Sequence, residues 1–184
     1  MKIEKAKYYQ DDQVIELIAC LASEPLKYQA FVYSTIFVGN RRGEALGLEW
    51  SDLDDKNCII HINRASYYTK EDGIYEDTTK SESSFRGVEA PKEVFDLLKT
   101  YKAWWNRQKL KKGEAWHDTN RLFVQHNGRP LHPDTPSKWF KKFLERHDLP
   151  PITLHELRHT NASLLIAAGI DVAAISERLG HADK

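Results

Sequence analysis

The spacing of apolar residues divides the chain into helices, with one region of short strands between them. Apolar side chains that recur every three to four residues indicate helices with one buried face. Gly39 and Asn40 tolerate positive φ, so the second helix is predicted to end at Val38. We expect a helix beginning at Asp11 or Asp12, followed by helices over residues 25–38, 41–48, 92–108, 136–147, 153–169 and 172–179.

The region between residues 58 and 90 has the alternation and polar turns of short strands. Cys58 to Ile62 and Ala65 to Thr69 are rich in β-branched and aromatic residues, and the Glu71-Asp72-Gly73 turn leads to Ile74 and Tyr75. Phe85 to Val88 is predicted to close a small antiparallel sheet of three strands. The pattern has no βαβ alternation, so the predicted fold class is α+β and mostly α.

The helix that begins after Thr153 has an unusual polar content. At about 100° per residue, His155, Arg158 and His159 fall within one sector, whereas leucines such as Leu154 and Leu157 lie on the other side. A helix that buries leucines and gathers histidine and arginine at the edge of that face is suited to bind an anion or a metal.

Composition narrows the class of protein. The 184 residues suffice for one domain with a substantial core, and the formal net charge of zero does not favour a self-sufficient DNA binder. Positive charge is nevertheless clustered along the chain.

Cys20 and Cys58 have no disulfide or CxxC spacing, which indicates a reducing compartment. No signal sequence or bilayer-length apolar run is present, so we expect a cytoplasmic protein with no membrane partner.

A zinc protease is the first of three interpretations of the residues after Thr153. His155-Glu156-Leu157-Arg158-His159 matches the H-E-x-x-H pattern, which places two imidazoles one helical turn apart. A third ligand is not evident, because only His181 and Glu177 lie at a plausible distance. Arg158 is a poor neighbour for a dication, so we expect no metal.

A helix-turn-helix DNA reader is the second interpretation. Residues 162–180 contain two short helices joined by a turn with Gly169. The second helix offers few side chains that could read bases, namely Ser176, Glu177 and Arg178. This non-catalytic DNA-binding module remains the alternative function.

A site for a phosphodiester is the third interpretation. Such a site needs several fixed cations and an acid for the leaving oxygen. Arginine suits it, because its fork holds two oxygens and stays protonated. Arg158 and His155 supply a fork and a donor on one helix, Arg41 offers a second fork, and Lys80 could reach in from the strand region as the acid.

Four motifs in this order resemble the tyrosine recombinases of the phage integrase family. The segment from Val38 to Asp52 is similar to the family's first arginine box, and Thr79-Lys80-Ser81 with Arg86 and Val88 is similar to its lysine hairpin. His155 to Thr160 resembles the H-x-L-R-H box, and Leu179-Gly180-His181 resembles the element that follows it. The resemblance implies the family's mostly helical catalytic domain, a DNA breaking-rejoining fold with a small antiparallel three-stranded sheet.

The resemblance also implies roles for individual residues. Arg41 and Arg158 would clamp the scissile phosphate, His155 and His181 would donate to its oxygens, and Lys80 would protonate the departing 5′-hydroxyl. Glu44 and His159 would support the site. DNA-backbone contacts are expected from the charged residues Arg42, Lys138, Lys141 and Lys142.

The nucleophilic tyrosine of that family is not identified in the sequence. All eight tyrosines lie between Tyr8 and Tyr101, upstream of both late motifs, so we expect a catalytic domain over residues 11–184 that is truncated before its nucleophile and cannot cleave DNA. Residues 1–10 are interpreted as the end of a linker.

The expected activity is site-specific recombination and integration of DNA through a 3′-phosphotyrosyl intermediate, as in an integrase of a phage or mobile element. The expected partners are double-stranded DNA with attachment-type sites, further copies that form a tetramer on DNA, and a directionality factor. No cofactor is expected, and the expected location is the cytoplasm of a bacterial host.

Overall fold

Helices dominate the computed structural model, which describes residues 7–77 and 85–180. The predicted helices are all present, with small shifts at their ends. α2 ends where Gly39 adopts φ +72°, as its sequence predicts. In chain order the helices are α1 (Asp11–Leu21), α2 (Leu26–Val38), α3 (Arg42–Gly47), α4 (Lys92–Lys112), α5 (Asp134–Arg146), α6 (Leu154–Ala167) and α7 (Val172–Leu179).

The strands form two separate antiparallel sheets. β1 (Leu53–Asp54), β2 (Ile59–Ile62) and β5 (Arg86–Glu89) make a three-stranded sheet in the order β1-β2-β5, in which β1 was not among the predicted strands. β3 (Ala65–Thr69) and β4 (Gly73–Asp77) instead pair with each other as a hairpin of their own. The mostly helical α+β prediction with a small three-stranded sheet is confirmed, and the hairpin is an addition to it.

The core is built around α2, which packs against α4 on one side and α6 on the other. Phe31 and Ile36 of α2 are buried, and Phe31 meets Phe123 edge-on with ring centroids 5.0 Å apart. The buried aromatic stripe of α4 includes Tyr101, whose hydroxyl donates to the Leu122 carbonyl at 2.7 Å. Burial of these large side chains is the main stabilising contribution to the fold.

Two arginines pair with carboxylates next to the hairpin and in it. Arg64, which follows β2, places Nη1 2.7 Å from Asp52 Oδ2 and 3.6 Å from Glu49 Oε2. Arg121 is 2% exposed and pairs through Nη2 with Glu76 of β4. We call Glu49, Asp52, Arg64, Glu76 and Arg121 the sheet cluster. In it, two guanidiniums face three carboxylates.

The two last helices form a corner with an apolar outer surface. Asp171 caps α7 by accepting hydrogen bonds from the N–H groups of Ala173 and Ala174. Ile166, Ile170 and Val172 are exposed near this corner. Within the described residues, no helix has both the length and the apolar character needed to cross a bilayer.

Candidate active site

The first turn of α6 fixes the position of Arg158. Thr153 Oγ1 accepts from the Glu156 N–H at 3.1 Å, and Glu156 Oε2 accepts from the Thr153 N–H at 2.7 Å. This capping box satisfies two of the N–H groups that a helix start leaves free. Helix α6 therefore begins at Leu154, which places Arg158 one turn later on the buried face, with only 3% of it exposed.

The guanidinium of Arg158 is held by two backbone carbonyls. Nη1 donates to Gly39 O at 2.7 Å and Nη2 donates to Leu179 O at 2.5 Å, so Arg158 joins the ends of α2 and α7. Burial, and then the neighbouring charge of Arg41, lower the pKa of Arg158 to about 10. The guanidinium therefore remains charged at neutral pH.

Gly39 permits this close approach of α2, α6 and α7. A Cβ at this position would lie 2.6 Å from Asn161 Oδ1 and 2.6 Å from Leu179 Cδ2. Its φ of +72° would also strain any other residue. Only glycine fits at this junction.

Arg41 and Glu44 form the second part of the site at the start of α3. Arg41 Nη1 lies 2.7 Å from Glu44 Oε1, and the Arg41 N–H donates to Glu44 Oε2 at 2.7 Å. Arg41 Nη2 donates to Gly180 O at 3.1 Å, immediately after α7. The Arg41 side chain is 44% exposed, so solvent and ligands can reach it.

A third arginine, Arg86 of β5, shares the same carboxylate. Arg86 Nη2 lies 2.8 Å from Glu44 Oε2, and Arg158 Nη1 lies 3.8 Å from that oxygen. Burial would raise the pKa of Glu44, but the hydrogen bonds and charges of Arg86 and Arg41 hold it below its usual value of 4.5. We call Arg41, Glu44, Arg86 and Arg158 the cleft cluster.

An open cleft of about 1320 Å³ lies beside the cleft cluster. Arg41, Glu44, Arg158 and His155 all line it, so the structure brings these predicted site residues together. Its other basic lining residues are Lys7, Arg42 and Lys141. Positive charge thus exceeds negative charge at a concave surface, as an anion site requires.

The two histidines of α6 lie next to each other. His155 is exposed and its ring meets the ring of His159 edge-on, with centroids 4.9 Å apart. Burial lowers the pKa of His159, and the nearby charges of His155 and Arg158 lower it further. His159 is therefore neutral at neutral pH, whereas His155 is placed to donate into the cleft.

The zinc interpretation finds little support in the geometry. Glu156 binds the Thr153 N–H as part of the helix cap, rather than facing the two histidines as a free base. Across residues 7–77 and 85–180, no group of three or more His, Cys, Asp or Glu side chains is arranged to hold a metal ion.

Two predicted catalytic residues, Lys80 and His181, lie outside the described residues. Of the predicted DNA-contacting residues, Arg42 and Lys141 line the cleft, but Lys138 and Lys142 are not among its lining residues. Arg42 Nη1 also donates to Ser137 Oγ at 3.3 Å.

The contacts of Arg86 and Arg178 were not predicted: Arg86 entered only as part of the hairpin motif, and Arg178 only as a side chain that could read bases. Arg178 Nη2 donates to Phe37 O at 2.9 Å and to Glu89 O at 2.7 Å, which fastens α7 to α2 and β5. A signal for Arg86 was available, because it lies two residues from the buried Val88 in a strand and therefore on the inward face. Lys7 was assigned to the linker but lines the cleft.

Comparisons with known proteins identify the family. A model of the phage integrase family matches residues 7–184. The ICEBs1 integrase of Bacillus subtilis is 32% identical over 179 residues, which cover 97% of this chain and 48% of that protein. A XerC-like tyrosine recombinase of Caldanaerobacter subterraneus is 28% identical over 99% of this chain and 49% of that protein.

Solved structures give the same fold. The Tn1549 transposon integrase, in complex with circular intermediate DNA, matches with a TM-score of 0.84 and 21% identity over 99% of this chain and 61% of that chain. The chain spans about half the length of the curated relatives it matches. The chain belongs to the phage integrase family.

Proposed function

We propose that this member of the phage integrase family carries the catalytic site of a site-specific DNA recombinase. The observation that carries the proposal is the convergence of Arg41 and Arg158 on Glu44 beside a cleft that His155 also lines. Two forked cations and an imidazole at one concave surface are the donors that a phosphodiester transition state requires. The catalytic domain would comprise residues 11–184, with residues 1–10 belonging to a linker.

The proposed reaction is an attack of a tyrosine oxygen on the scissile phosphorus. His155 accepts the proton of the tyrosine hydroxyl as a bond forms between that oxygen and phosphorus, giving a 3′-phosphotyrosyl link, and the bond to the 5′ oxygen breaks. Arg41 and Arg158 neutralise the charge that grows on the non-bridging oxygens, and His155 and His181 donate to the same oxygens. Lys80 delivers a proton to the departing 5′ oxygen. No metal or cofactor takes part.

Arg41 and Arg158 can bind a phosphate while they keep part of their present hydrogen bonding. Arg41 Nη2 now donates to Gly180 O and both terminal nitrogens of Arg158 donate to carbonyls. Each guanidinium has five N–H donors, so it can donate to a phosphate oxygen without releasing every hydrogen bond that it now makes. Glu44 and His159 orient the arginines and His155, respectively.

The nucleophile is proposed to be none of the eight tyrosines. Tyr9 and Tyr101 are buried with their hydroxyls bonded to carbonyls, and burial raises the pKa of Tyr9 to about 12. Tyr67 does line the cleft, and it stacks on Tyr75 with ring centroids 5.8 Å apart. We therefore expect the 184-residue chain to bind DNA without cleaving it, with Tyr67 as the residue to exclude first.

Double-stranded DNA is the proposed partner, together with further copies of the protein. The Tn1549 transposon integrase was solved in complex with DNA, and the basic lining of the cleft in this chain suits a phosphate backbone. The exposed apolar corner at Ile166, Ile170 and Val172 supports self-association, which we propose gives a tetramer on attachment-type sites. We also propose that the protein acts with a directionality factor and that it does so in the cytoplasm of a bacterial host.

The alternative, a non-catalytic helix-turn-helix reader, is less favoured. Arg178 would be its main base-reading side chain on α7, but it donates to the Phe37 and Glu89 carbonyls. Ser176 and Glu177 alone could not read several base pairs. The α6–α7 pair is better explained as the support of Arg158.

Trapping of a covalent complex tests the proposed chemistry. A version of the protein that carries the nucleophile would be incubated with a nicked suicide DNA substrate and analysed on a denaturing gel. A covalent protein–DNA band that disappears in Arg41→Ala, with DNA binding retained, is the expected result. The same band from the 184-residue chain, mapped to Tyr67, would overturn the assignment of the nucleophile. No band from any version would overturn the recombinase assignment.

A further inference from the structure

Arg86 lies where three parts of the site meet. Its side chain is 7% exposed, and it occupies the first position of β5, opposite Ile62 of β2. Its Nε donates to Arg178 O at 2.7 Å, in the last turn of α7. A Cβ at Gly180 would lie 2.8 Å from Arg86 Nη1, so the guanidinium packs directly against the backbone there.

Arg86 also completes the hydrogen bonding of the Glu44 carboxylate. Glu44 Oε1 accepts from Arg41 Nη1 and from Arg86 Nη1, the latter at 3.3 Å. Glu44 Oε2 accepts from the Arg41 N–H and from Arg86 Nη2. A carboxylate has about four acceptor sites, and these four bonds use them.

This saturation explains the position of Arg158. Its Nη1 is 3.8 Å from Glu44 Oε2, which is close enough for electrostatic attraction but too far for a hydrogen bond. Arg158 instead donates to the Gly39 and Leu179 carbonyls. Its positive charge is thereby left largely uncompensated at the wall of the cleft.

We propose that Arg86 is a positioning residue that occupies Glu44 and so keeps Arg41 and Arg158 directed towards a bound phosphate. Without Arg86, a buried carboxylate would have two vacant acceptor sites, and it would draw the other two guanidiniums towards itself. The net charge of the cleft cluster would also fall by one. The inference rests on the proposed function, since it assumes that the arginines bind a phosphate.

Sulfate is a suitable probe of the site, because it is a tetrahedral dianion that does not titrate near neutral pH. The side-chain Nε–H signals of Arg41 and Arg158 would be followed by NMR during sulfate titrations of the 184-residue chain. The variants are Arg86→Gln, Arg86→Lys, and Arg64→Gln as the matched control. Arg64 also pairs with a buried carboxylate, that of Asp52, but does not line the cleft.

We expect Arg86→Gln to weaken sulfate binding about tenfold, the loss of one charge-assisted contribution, and Arg64→Gln to leave binding unchanged. Arg86→Lys should bind with intermediate affinity, because it keeps the charge but loses the fork. If Arg86→Gln does not fold, the sulfate affinities of Arg86→Lys and Arg64→Gln are compared instead. Equal affinities in these two variants would overturn the role of Arg86.

A second readout separates positioning from simple support of the fold. Among residues 7–77 and 85–180, the charged groups that face Glu44 are Arg41 from the start of α3, Arg86 from β5 and Arg158 from α6. In Arg86→Gln the pKa of the Glu44 carboxyl should rise, because Arg86 provides much of the charge that lowers it. The loss of affinity should then shrink as the pH falls and Glu44 becomes neutral. Every ionisable group other than residues 64 and 86 is the same in Arg86→Gln and Arg64→Gln, so effects of pH that do not involve Glu44 cancel in that comparison.

The outcomes are distinguishable. Absence of saturable shifts at Arg41 and Arg158 in the unmodified chain would overturn the phosphate site and this inference with it. Saturable binding that is equally strong in Arg86→Gln and Arg64→Gln would overturn the role of Arg86 alone. Weaker sulfate binding in Arg86→Gln that does not depend on the protonation of Glu44 would also overturn the positioning role. The loss of one positive charge would then explain the weaker binding by itself.

Discussion

Two partly buried arginine–carboxylate clusters in the described part of the chain differ in charge balance. In the sheet cluster, Arg64 and Arg121 face three carboxylates and border no part of the cleft. In the cleft cluster, three guanidiniums share the carboxylate of Glu44 beside an open cleft. Buried ion pairs alone say little about function, because both clusters contain them. The uncompensated positive charge next to open space is what marks the site.

The largest expected difference between the clusters concerns DNA cleavage. In a version of the protein that forms the covalent complex, Arg41→Ala should slow cleavage by about 10³, the upper range for one removed transition-state donor. Arg64→Ala should change the cleavage rate by less than about threefold, since it touches no substrate. Single-turnover cleavage of a suicide substrate measures both rates. Equal losses in the two variants would remove the distinction between the clusters.

The stability of the fold should depend more on Glu44 than on Asp52. Glu44→Gln leaves three neighbouring guanidiniums without a carboxylate, so we expect the free energy of unfolding to fall by about 3 kcal/mol. Asp52→Asn should lower it less, because Arg64 still has Glu49 at 3.6 Å. Urea unfolding followed by circular dichroism measures both. Added sulfate should raise the free energy of unfolding of Glu44→Gln more than that of Asp52→Asn. An equal effect on both variants would contradict an anion site.

The pH dependence of stability provides a smaller effect with a defined sign. The pKa of Glu44 is lower in the folded chain than in the unfolded chain. Its contribution is therefore present above the unfolded pKa and is lost as the pH falls through the folded pKa. Between about pH 6 and about pH 3, the chain should lose more unfolding free energy than Glu44→Gln does. A steeper loss in Glu44→Gln would show that another group dominates.

The smallest expected effect concerns the surface lysines of α5. Lys141 lines the cleft and Lys142 does not, although the two are adjacent. Lys141→Ala should reduce the salt dependence of duplex DNA binding by about one phosphate contact, and Lys142→Ala should not. Fluorescence anisotropy at several salt concentrations gives the slopes. Identical slopes would mean that the cleft does not define the DNA path.

The parts of the molecule that sequence predicted well are set by local patterns. The spacing of leucines located α6. Gly39 and Gly180 lie at the ends of helices, and both residues adopt positive φ there. The convergence of Arg41 with Arg158 was expected only from the resemblance of whole motifs. The periodicity of apolar residues along the chain does not indicate this convergence.

The parts that sequence missed depend on distant pairings. Arg86 meets Glu44 42 positions away, and Arg178 meets the Phe37 carbonyl 141 positions away. The hairpin of β3 and β4 is separate from the three-stranded sheet, and between β2 and β3 the side chains of Asn63 and Arg64 bind Asp52. Such contacts arise from tertiary packing, which spacing along the chain does not encode.

The most direct test of the cleft cluster is a structure of the chain bound to duplex DNA. We expect one backbone phosphate with the guanidiniums of Arg41 and Arg158 both within about 3 Å of its oxygens, and Arg86 still bound to Glu44. A duplex bound elsewhere, with Arg158 unchanged on the Gly39 and Leu179 carbonyls and no phosphate in the cleft, would contradict it.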